Sequence, residues 1–189
     1  MSNEYKDWER DKIEEEKEIV AKYPFLKMRA DSNCSYNDTK WPMMDLELPD
    51  GWFKLFFQMC DDIKEALSNE ENSEEFFFMQ VKEKFNELTC YHNGSQAVHD
   101  IIQKYRYISS FICTTCGKPA EFETTSYLAS YCTDCWKDKS RHEKVNQLSF
   151  VDTFEVRGYR DGEEYCTTMT VTDEWNRYLQ SLEAFDYEP

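Results

Sequence analysis

The chain has 189 residues, of which 38 are acidic and 22 are basic, so its formal net charge at pH 7 is −16. This balance excludes a protein that binds nucleic acid over most of its surface, because carboxylates repel phosphates. Aromatic residues make up 16% of the chain, which supports a hydrophobic core and excludes wholesale disorder. We expect neither a signal peptide nor a membrane span, and therefore a cytoplasmic protein that has no membrane partner.

Two helices are predicted in the first third of the chain. Residues 4–22 have a strongly charged helical pattern, which ends at Tyr23-Pro24 because the residue before a proline avoids the α region. Residues 52–67 repeat apolar side chains at helical spacing, and Asp50 is placed to cap this helix. We expect the apolar face of the second helix to enter the core.

The middle of the chain predicts a β-hairpin followed by a helix. Residues 76–81 and 87–92 read as two strands, and residues 82–86 read as the turn between them. Ser95 can cap the next helix, whose apolar face continues to Ile112. This helix leads directly into Cys113.

Two cysteine pairs are the most informative motif. Cys113, Cys116, Cys132 and Cys135 have the spacing C-x2-C-x15-C-x2-C, which is typical of a closed four-thiolate zinc site. Gly117 suits a tight turn with a positive φ angle after the first pair. A redox-active dithiol is the competing interpretation, but no βαβ pattern surrounds either pair. Four thiolates leave no position for an activated water, so we predict a structural Zn²⁺.

The remainder of the chain predicts a small ribbon and a separate C-terminal unit. Residues 121–125 and 127–131 read as ribbon strands, and residues 136–147 read as a helix. Alternating patterns on both sides of Asp161-Gly162 predict a hairpin, and Thr172 is placed to cap a final helix.

These elements predict an α+β fold, in which helices pack on a small antiparallel sheet with an inserted four-cysteine zinc ribbon and a C-terminal β-hairpin plus helix. We divide the chain into a helical α+β body with an acidic N-terminal helix (1–112), the zinc ribbon with its following helix (113–149), and the C-terminal hairpin and helix (150–189).

Carboxylates cluster in three places that could face a basic partner. These candidates are Glu14, Glu15, Glu16, Glu18, Glu70, Glu71, Glu74, Glu75, Asp161, Glu163 and Glu164. Rows of carboxylates could occupy a positively charged nucleic-acid channel as a DNA mimic. The competing interpretation of each cluster is a solvated helix face or loop.

One local basic patch favours a different function, a nucleic-acid-binding zinc module or small regulator. Its candidate residues, on the predicted helix after the second cysteine pair, are Trp136, Lys137, Lys139, Arg141, His142 and Lys144. Five phosphate contacts would be a modest footprint. Asp138 and Glu143 interrupt the patch, so an ordinary solvated helix is the competing interpretation.

The sequence does not favour an enzyme. It contains no G-x-S-x-G, Walker, dinucleotide-binding or H-E-x-x-H motif, and only three histidines. Asp61-Asp62 lies on the outer side of a predicted helix, where we expect solvation rather than metal binding.

From Tyr23-Pro24 to Cys135 the order of features resembles a family of small zinc-ribbon proteins of bacteriophages and mobile elements. The shared features are Gly51-Trp52 opening a helix, the segment Val81 to Phe85, a helix running into the first cysteine pair, and the second pair. The chain departs from the family at Asn86-Glu87, where a glycine usually follows the aromatic residue. The family is largely uncharacterised.

Some small acidic mobile-element proteins of this general kind resemble inhibitors of host defence nucleases, including anti-CRISPR proteins. By this analogy the chain would bind and inhibit a basic, nucleic-acid-binding nuclease in the cytoplasm of a bacterial host, without chemistry of its own.

Overall fold

The computed structural model describes residues 3–29, 41–69, 75–138, 144–160 and 163–183. Within these ranges the chain has an α+β fold of five helices and eight short strands. The elements are α1 (Asn3–Lys22), β1 (Leu46–Glu47), α2 (Phe53–Leu67), β2 (Phe78–Lys84), β3 (Glu87–His92), α3 (Gln96–Ser109), β4 (Phe122–Thr124), β5 (Ser130–Tyr131), α4 (Thr133–Asp138), β6 (Val145–Gln147), β7 (Thr153–Arg160), β8 (Glu163–Thr170) and α5 (Thr172–Glu183). None of the helices in these ranges combines the length and the apolar character that crossing a membrane requires.

The strands form three small sheets rather than one. β2 and β3 pair antiparallel, and β1 joins β2 in parallel through Leu46 opposite Val81. β4 lies between β5 and β6, antiparallel to both. β7 and β8 pair antiparallel along their full lengths. The sheets are thus mostly antiparallel, as predicted, and the parallel strand β1 was not expected.

One hydrophobic core lies between α2, α3 and the β1–β2–β3 sheet. Trp52, Phe56 and Ile63 are fully buried from the α2 side, and Tyr105 and Ile108 are fully buried from α3. Burial of each such side chain contributes about 1.5–3 kcal/mol to the stability of the fold. The predicted apolar faces of α2 and α3 are therefore confirmed as core faces.

Of the two predicted caps at α2 and α3, the structure confirms only the one at α3. Ser95 caps α3, and its hydroxyl accepts a hydrogen bond from the Val98 backbone N–H at 3.3 Å. Asp50 does not cap α2, because residues 50–52 form a turn of 3₁₀ helix that runs straight into it and no side chain bonds at that position. The expectation for Asp50 was wrong because this turn is held by tertiary contacts.

The predicted helix over residues 136–147 was also wrong. α4 begins earlier, at Thr133, and ends at Asp138, whereas residues 145–147 form strand β6. Thr124 of β4 lies opposite Val145, and the Leu148 backbone N–H donates to the Glu121 carbonyl at 2.9 Å. Pairing with the open edge of β4 outweighs the helical preference of this short segment.

The C-terminal elements pack on the same core as the N-terminal helices. The rings of Phe150 and Trp175 stack with centroids 4.2 Å apart, and Tyr178 of α5 is fully buried in the core. Arg177 forms a bidentate ion pair with Asp62 of α2, with both N···O distances 2.6 Å. α5 is thereby tied to the core by apolar contacts and to α2 by an ion pair.

The two adjacent carboxylates of α2 hold helices together rather than merely facing solvent. Asp62 also accepts a hydrogen bond from the Tyr105 hydroxyl of α3 at 2.7 Å. Asp61 accepts one from the Tyr23 hydroxyl at 2.8 Å, and the Lys22 ammonium lies 3.1 Å away. Both carboxylates therefore have structural partners.

His92 and His99 form a hydrogen-bonded pair where β3 leads into α3. His92 Nδ1 accepts from the Gly94 backbone N–H at 3.0 Å, and His92 Nε2 lies 3.3 Å from His99 Nδ1. Since Nδ1 is an acceptor, neutral His92 carries its proton on Nε2 and donates to His99. Burial and the neighbouring His99 lower the pKa of His92.

We predict that the free energy of unfolding decreases as the pH falls below about 6.5, the unperturbed histidine pKa. Because the folded-state pKa of His92 is lowered, the unfolded state binds more protons in this range. Neutral His92 makes its full contribution to the free energy of unfolding above the pKa that it has in the unfolded state. This contribution is lost as the pH falls through its pKa in the folded state. Urea unfolding of wild type and His92→Gln at about pH 7.5 and 5 measures this, and the wild type should lose more stability. Equal losses in the two proteins would contradict the prediction.

Candidate metal centre

The structure brings the four predicted cysteines into one cluster. The sulfur atoms of Cys113, Cys116, Cys132 and Cys135 all lie within 4.8 Å of one another. The Sγ atoms of Cys116 and Cys132 are 3.6 Å apart. A tetrahedral metal with metal–sulfur distances of about 2.3 Å requires sulfur–sulfur separations of about 3.8 Å. The cluster can therefore hold a metal ion with little rearrangement.

The backbone of each cysteine pair forms a tight turn. The Gly117 N–H donates to the Cys113 carbonyl at 3.0 Å, and Gly117 has the predicted positive φ angle, 77°. In the second pair, the Trp136 N–H donates to the Cys132 carbonyl at 3.0 Å. These hydrogen bonds fold each pair so that its two sulfurs point to the same place.

Two further hydrogen bonds join the first cysteine turn to β5, the strand that leads into the second turn. The Thr114 backbone N–H donates to the Ser130 carbonyl at 2.9 Å, and the Thr114 hydroxyl donates to the same oxygen at 3.2 Å. Thr114 lies inside the first cysteine pair, and Ser130 lies two residues before Cys132. The relative position of the two pairs is thus fixed by backbone contacts as well as by the sulfur cluster.

Backbone donors favour the thiolate form of Cys113. Burial of this side chain opposes its ionisation, but backbone N–H groups of Cys132, Cys116 and Thr115 outweigh burial and lower the pKa of the Cys113 thiol. The thiolate is the form that binds metals. Cys113 and Cys132 are buried, Cys135 is half-buried and Cys116 is exposed.

The exposed side of the cluster borders a cleft of about 980 Å³. Besides Cys116, the cleft is lined by aromatic side chains of α2, by the end of α1 and by the end of α5. Three lysines and three carboxylates lie around it: Lys22, Lys54, Lys118, Glu18, Asp50 and Asp61. The positive and negative side chains are equal in number, so the cleft has no marked net charge.

Gly51 and Trp52 attach the first cysteine pair to the core. The Gly51 N–H donates to the Thr114 carbonyl at 3.1 Å, and the indole N–H of Trp52 donates to the Ile112 carbonyl at 3.3 Å. A Cβ atom on Gly51 would lie 2.1 Å from the Cys113 carbonyl oxygen and 2.6 Å from the Gly117 nitrogen. Only glycine permits this close approach of two backbones.

Tyr178 attaches the same turn to the C-terminal helix. Its buried hydroxyl donates to the Gly117 carbonyl at 2.6 Å. The sequence predicts the helix that carries Tyr178 but does not predict this contact. The signal was a hydroxyl on a face that otherwise carries apolar side chains, since a buried tyrosine hydroxyl requires a partner.

The predicted acidic residues have different surroundings. Glu14, Glu15 and Glu18 of α1 are exposed, as are Glu75, Glu163 and Glu164. Glu16 is only 8% exposed, its Oε2 accepts from the Met43 N–H at 3.4 Å, and burial raises its pKa. Glu16 thus faces inward rather than joining the exposed carboxylates. Glu70, Glu71, Glu74 and Asp161 lie outside the described residues.

The predicted basic patch does not lie on one helix. Lys137 is exposed on α4 and Lys144 is exposed just before β6, on separate elements. Trp136 is half-buried, and its ring packs against Tyr131 with centroids 5.7 Å apart. Lys139, Arg141 and His142 lie outside the described residues.

Comparison of the chain with protein-family models, with curated proteins and with solved structures finds no match.

We predict that Gly51→Ala destabilises the protein by about 1–3 kcal/mol, the usual penalty of overpacking. The new methyl group would collide with the backbone of the first cysteine pair, which cannot move without displacing its sulfurs. Urea unfolding and metal content per chain are the measurements, and both should decrease.

The matched control is Gly158→Ala, in strand β7. The three atoms nearest to a Cβ atom there all belong to the side chain of Tyr165, at 2.9–3.2 Å, and none of them is a backbone atom. The control should change stability much less than Gly51→Ala and should leave metal content unchanged. Equal effects of the two substitutions would show that the approach of Gly51 to the cysteine pair is not critical.

Proposed function

We propose that the chain is a non-enzymatic, acidic, zinc-binding protein that binds and inhibits a basic, nucleic-acid-binding nuclease of a bacterial host. In this proposal the segment from Cys113 to Gln147 is a zinc ribbon with a structural role. The resemblance to zinc-ribbon proteins of phages and mobile elements supplies the biological setting, in the host cytoplasm. The action is anti-CRISPR-like and depends on contact rather than on chemistry.

The donor set supports zinc as the metal. Soft thiolate ligands select zinc, copper(I) or iron–sulfur clusters, and a tetrahedral four-sulfur arrangement suits zinc or iron. The C-x2-C spacing of both pairs is frequent in structural zinc sites. Because all four ligands come from the protein, such a zinc has no open position for substrate. The metal would stabilise the fold.

Loss of the metal should weaken the body of the protein as well as the ribbon. α3 leads through Ile112 into Cys113, and Gly51 and Tyr178 bond to the first cysteine turn from two other elements. Repulsion between uncompensated thiolates would displace that turn from all three contacts. Metal binding and folding are therefore expected to be linked.

We predict one zinc ion per chain, detectable by native mass spectrometry. Chelation should lower the thermal unfolding temperature, and Cys116→Ser should do the same because it removes one thiolate ligand. Cys166→Ser is the matched control, since Cys166 is exposed on β8 and is not a member of the cluster. A wild-type protein that contains no metal and whose unfolding temperature does not respond to chelator would contradict the prediction.

In this proposal, the exposed carboxylates of α1 are the residues that inhibit the nuclease. Glu14, Glu15 and Glu18 span about 6 Å along the helix axis, so the mean separation between neighbouring carboxylates is about 3 Å. Duplex DNA carries one charge per about 1.7 Å. Lys17 pairs with Glu14 at 2.7 Å and offsets part of this charge. The charge density of α1 is therefore lower than that of duplex DNA, and in the proposal its exposed carboxylates occupy only part of a basic channel.

The alternative function, a zinc module that binds nucleic acid, receives less support. Its two described lysines, Lys137 and Lys144, lie on separate elements, and the ring of Trp136 is engaged with Tyr131. The net charge of −16 opposes contact with phosphates. Binding of nucleic acid remains a distinct outcome of the experiment below.

We predict that the metal-loaded protein captures a basic nuclease from bacterial lysate after nucleic acids have been digested. Capture should be lost at high salt, because it depends on charge. In a cleavage assay with the recovered nuclease, wild type should inhibit. Glu15→Lys/Glu18→Lys should require about tenfold more protein, as expected from weaker electrostatic steering.

The control for this experiment is Glu65→Lys/Glu155→Lys, which makes the same change in net charge at exposed positions outside the candidate clusters. If net charge alone matters, both double variants will weaken inhibition equally, and the role of α1 is disproved. Capture that disappears when nucleic acid is digested would favour the nucleic-acid-binding function. Binding that resists salt would rule out mimicry by charge.

A further inference from the structure

The turn between β2 and β3 has an unusual residue at its tip. Phe85 and Asn86 are its two central residues, with φ angles of 54° and 63°. These angles are those of a type I′ turn, which needs positive φ at both central positions. Asparagine and glycine tolerate this far better than a residue with a bulky side chain. Asn86 suits its position, whereas Phe85 does not. The backbone at Phe85 is therefore strained.

The strain at Phe85 is not offset by burial of its ring. The side chain is 73% exposed, although it belongs to a hairpin whose inner face is well packed. β2 and β3 are anchored in the core by Val81 and Leu88, both fully buried. Phenylalanine at this position thus costs backbone energy and contributes little to the core. Such outliers are concentrated at functional sites.

The tip is held rigidly by the side chain of Asn86. This side chain is fully buried, and its amide donates to Ser130 Oγ at 2.7 Å and to Glu123 Oε1 at 3.0 Å. The Asn86 backbone N–H donates to Glu83 Oε1 at 2.7 Å. Ser130 also accepts from Thr114 inside the first cysteine pair. The orientation of Phe85 is therefore linked to the candidate metal centre.

Two lysines lie beside the exposed rings of the hairpin, although its two lysines and two glutamates balance in formal charge. The Lys84 ammonium lies 5.5 Å from the Phe85 ring, and Lys82 lies 5.5 Å from the ring of Tyr91, which is 42% exposed. The two carboxylates of the hairpin, Glu83 and Glu87, have partners within the protein. Glu87 pairs with Arg106 at 2.5 Å, and Glu83 accepts the Asn86 N–H. The hairpin thus presents aromatic rings accompanied by lysines.

We propose that Phe85 is an anchor residue, which inserts its ring into an apolar pocket with a carboxylate rim on a partner protein. An exposed aromatic ring on a rigid turn is a preorganised contact, because little conformational entropy is lost on binding. Lys84 and Lys82 match the acidic rim. This surface is separate from the acidic residues of α1, so the inference does not rest on the proposed inhibition of a nuclease.

A protein partner fits these observations better than a nucleic acid does. A base could stack on Phe85, but a backbone of phosphates would meet two lysines and then the acidic remainder of the chain. A single rigid ring with two flanking charges is the arrangement of an interface anchor in a pocket.

The first test needs no partner. Phe85→Gly removes the ring and allows positive φ without steric cost, so its thermal unfolding temperature should be higher than that of wild type. Phe85→Ala keeps the strained backbone and should not show this increase. A lower unfolding temperature for Phe85→Gly would show that the ring supports the fold, and would overturn the proposal.

The second test identifies the contact by site-specific photocrosslinking. The metal-loaded chain with benzoylphenylalanine at position 85 is irradiated in bacterial lysate, and the crosslinked peptides are sequenced. We expect one protein, crosslinked at an apolar segment flanked by aspartate or glutamate. Excess wild type and excess Phe85→Tyr should compete for it, whereas excess Phe85→Gly should not.

The matched control carries the crosslinker at Tyr127, which is 74% exposed on the turn between β4 and β5. It should not yield the same adduct. No adduct at position 85, an adduct with nucleic acid or with a second copy of this chain, or equal competition by Phe85→Gly would each overturn the proposal.

Discussion

The contact between Gly51 and the first cysteine pair is the constraint on which the rest of the structure depends. Two backbones approach so closely that a single methyl group would lie 2.1 Å from a carbonyl oxygen. α2 begins directly after this contact, and Tyr178 bonds to the same cysteine turn from α5. The first cysteine turn, which carries two of the four clustered sulfurs, is thus a fixed point for the helices of the core. Displacement of this turn would disturb both the packing of the core and the candidate metal centre.

The candidate metal centre and the charged surfaces suit different roles. The sulfur cluster is closed, partly buried and bonded to backbone donors, which is the character of a structural site. The exposed carboxylates of α1 and the aromatic tip at Phe85 lie on other elements and make no use of metal chemistry. These two surfaces differ in character, since one is acidic and the other carries exposed aromatic rings beside lysines.

Much of the site and of the local structure could be predicted from the sequence. The cysteine spacing predicted the cluster of four sulfurs, because two residues between ligands dictate a tight turn whatever the surrounding fold. Gly117 was expected to have a positive φ angle for the same local reason, and Ser95 was expected to cap α3. The apolar faces of α2 and α3 followed from helical spacing. The shape of each cysteine turn, the cap and the helix faces depend on residues that are close along the chain, whereas the meeting of the two cysteine pairs also depends on the contact between Thr114 and Ser130.

Other features were decided only by the tertiary structure. Residues 145–147 became a strand because β4 offered an open edge, and Asp50 lost its capping role because Gly51 was drawn against the cysteine turn. Glu16 was turned inward by the Met43 backbone, and Tyr178 found its partner 61 residues away. The sequence by itself determined where the cysteine pairs and the apolar helix faces occur, since these depend on local spacing. Which backbone groups meet across the fold depends on packing between distant segments, and no local pattern records it.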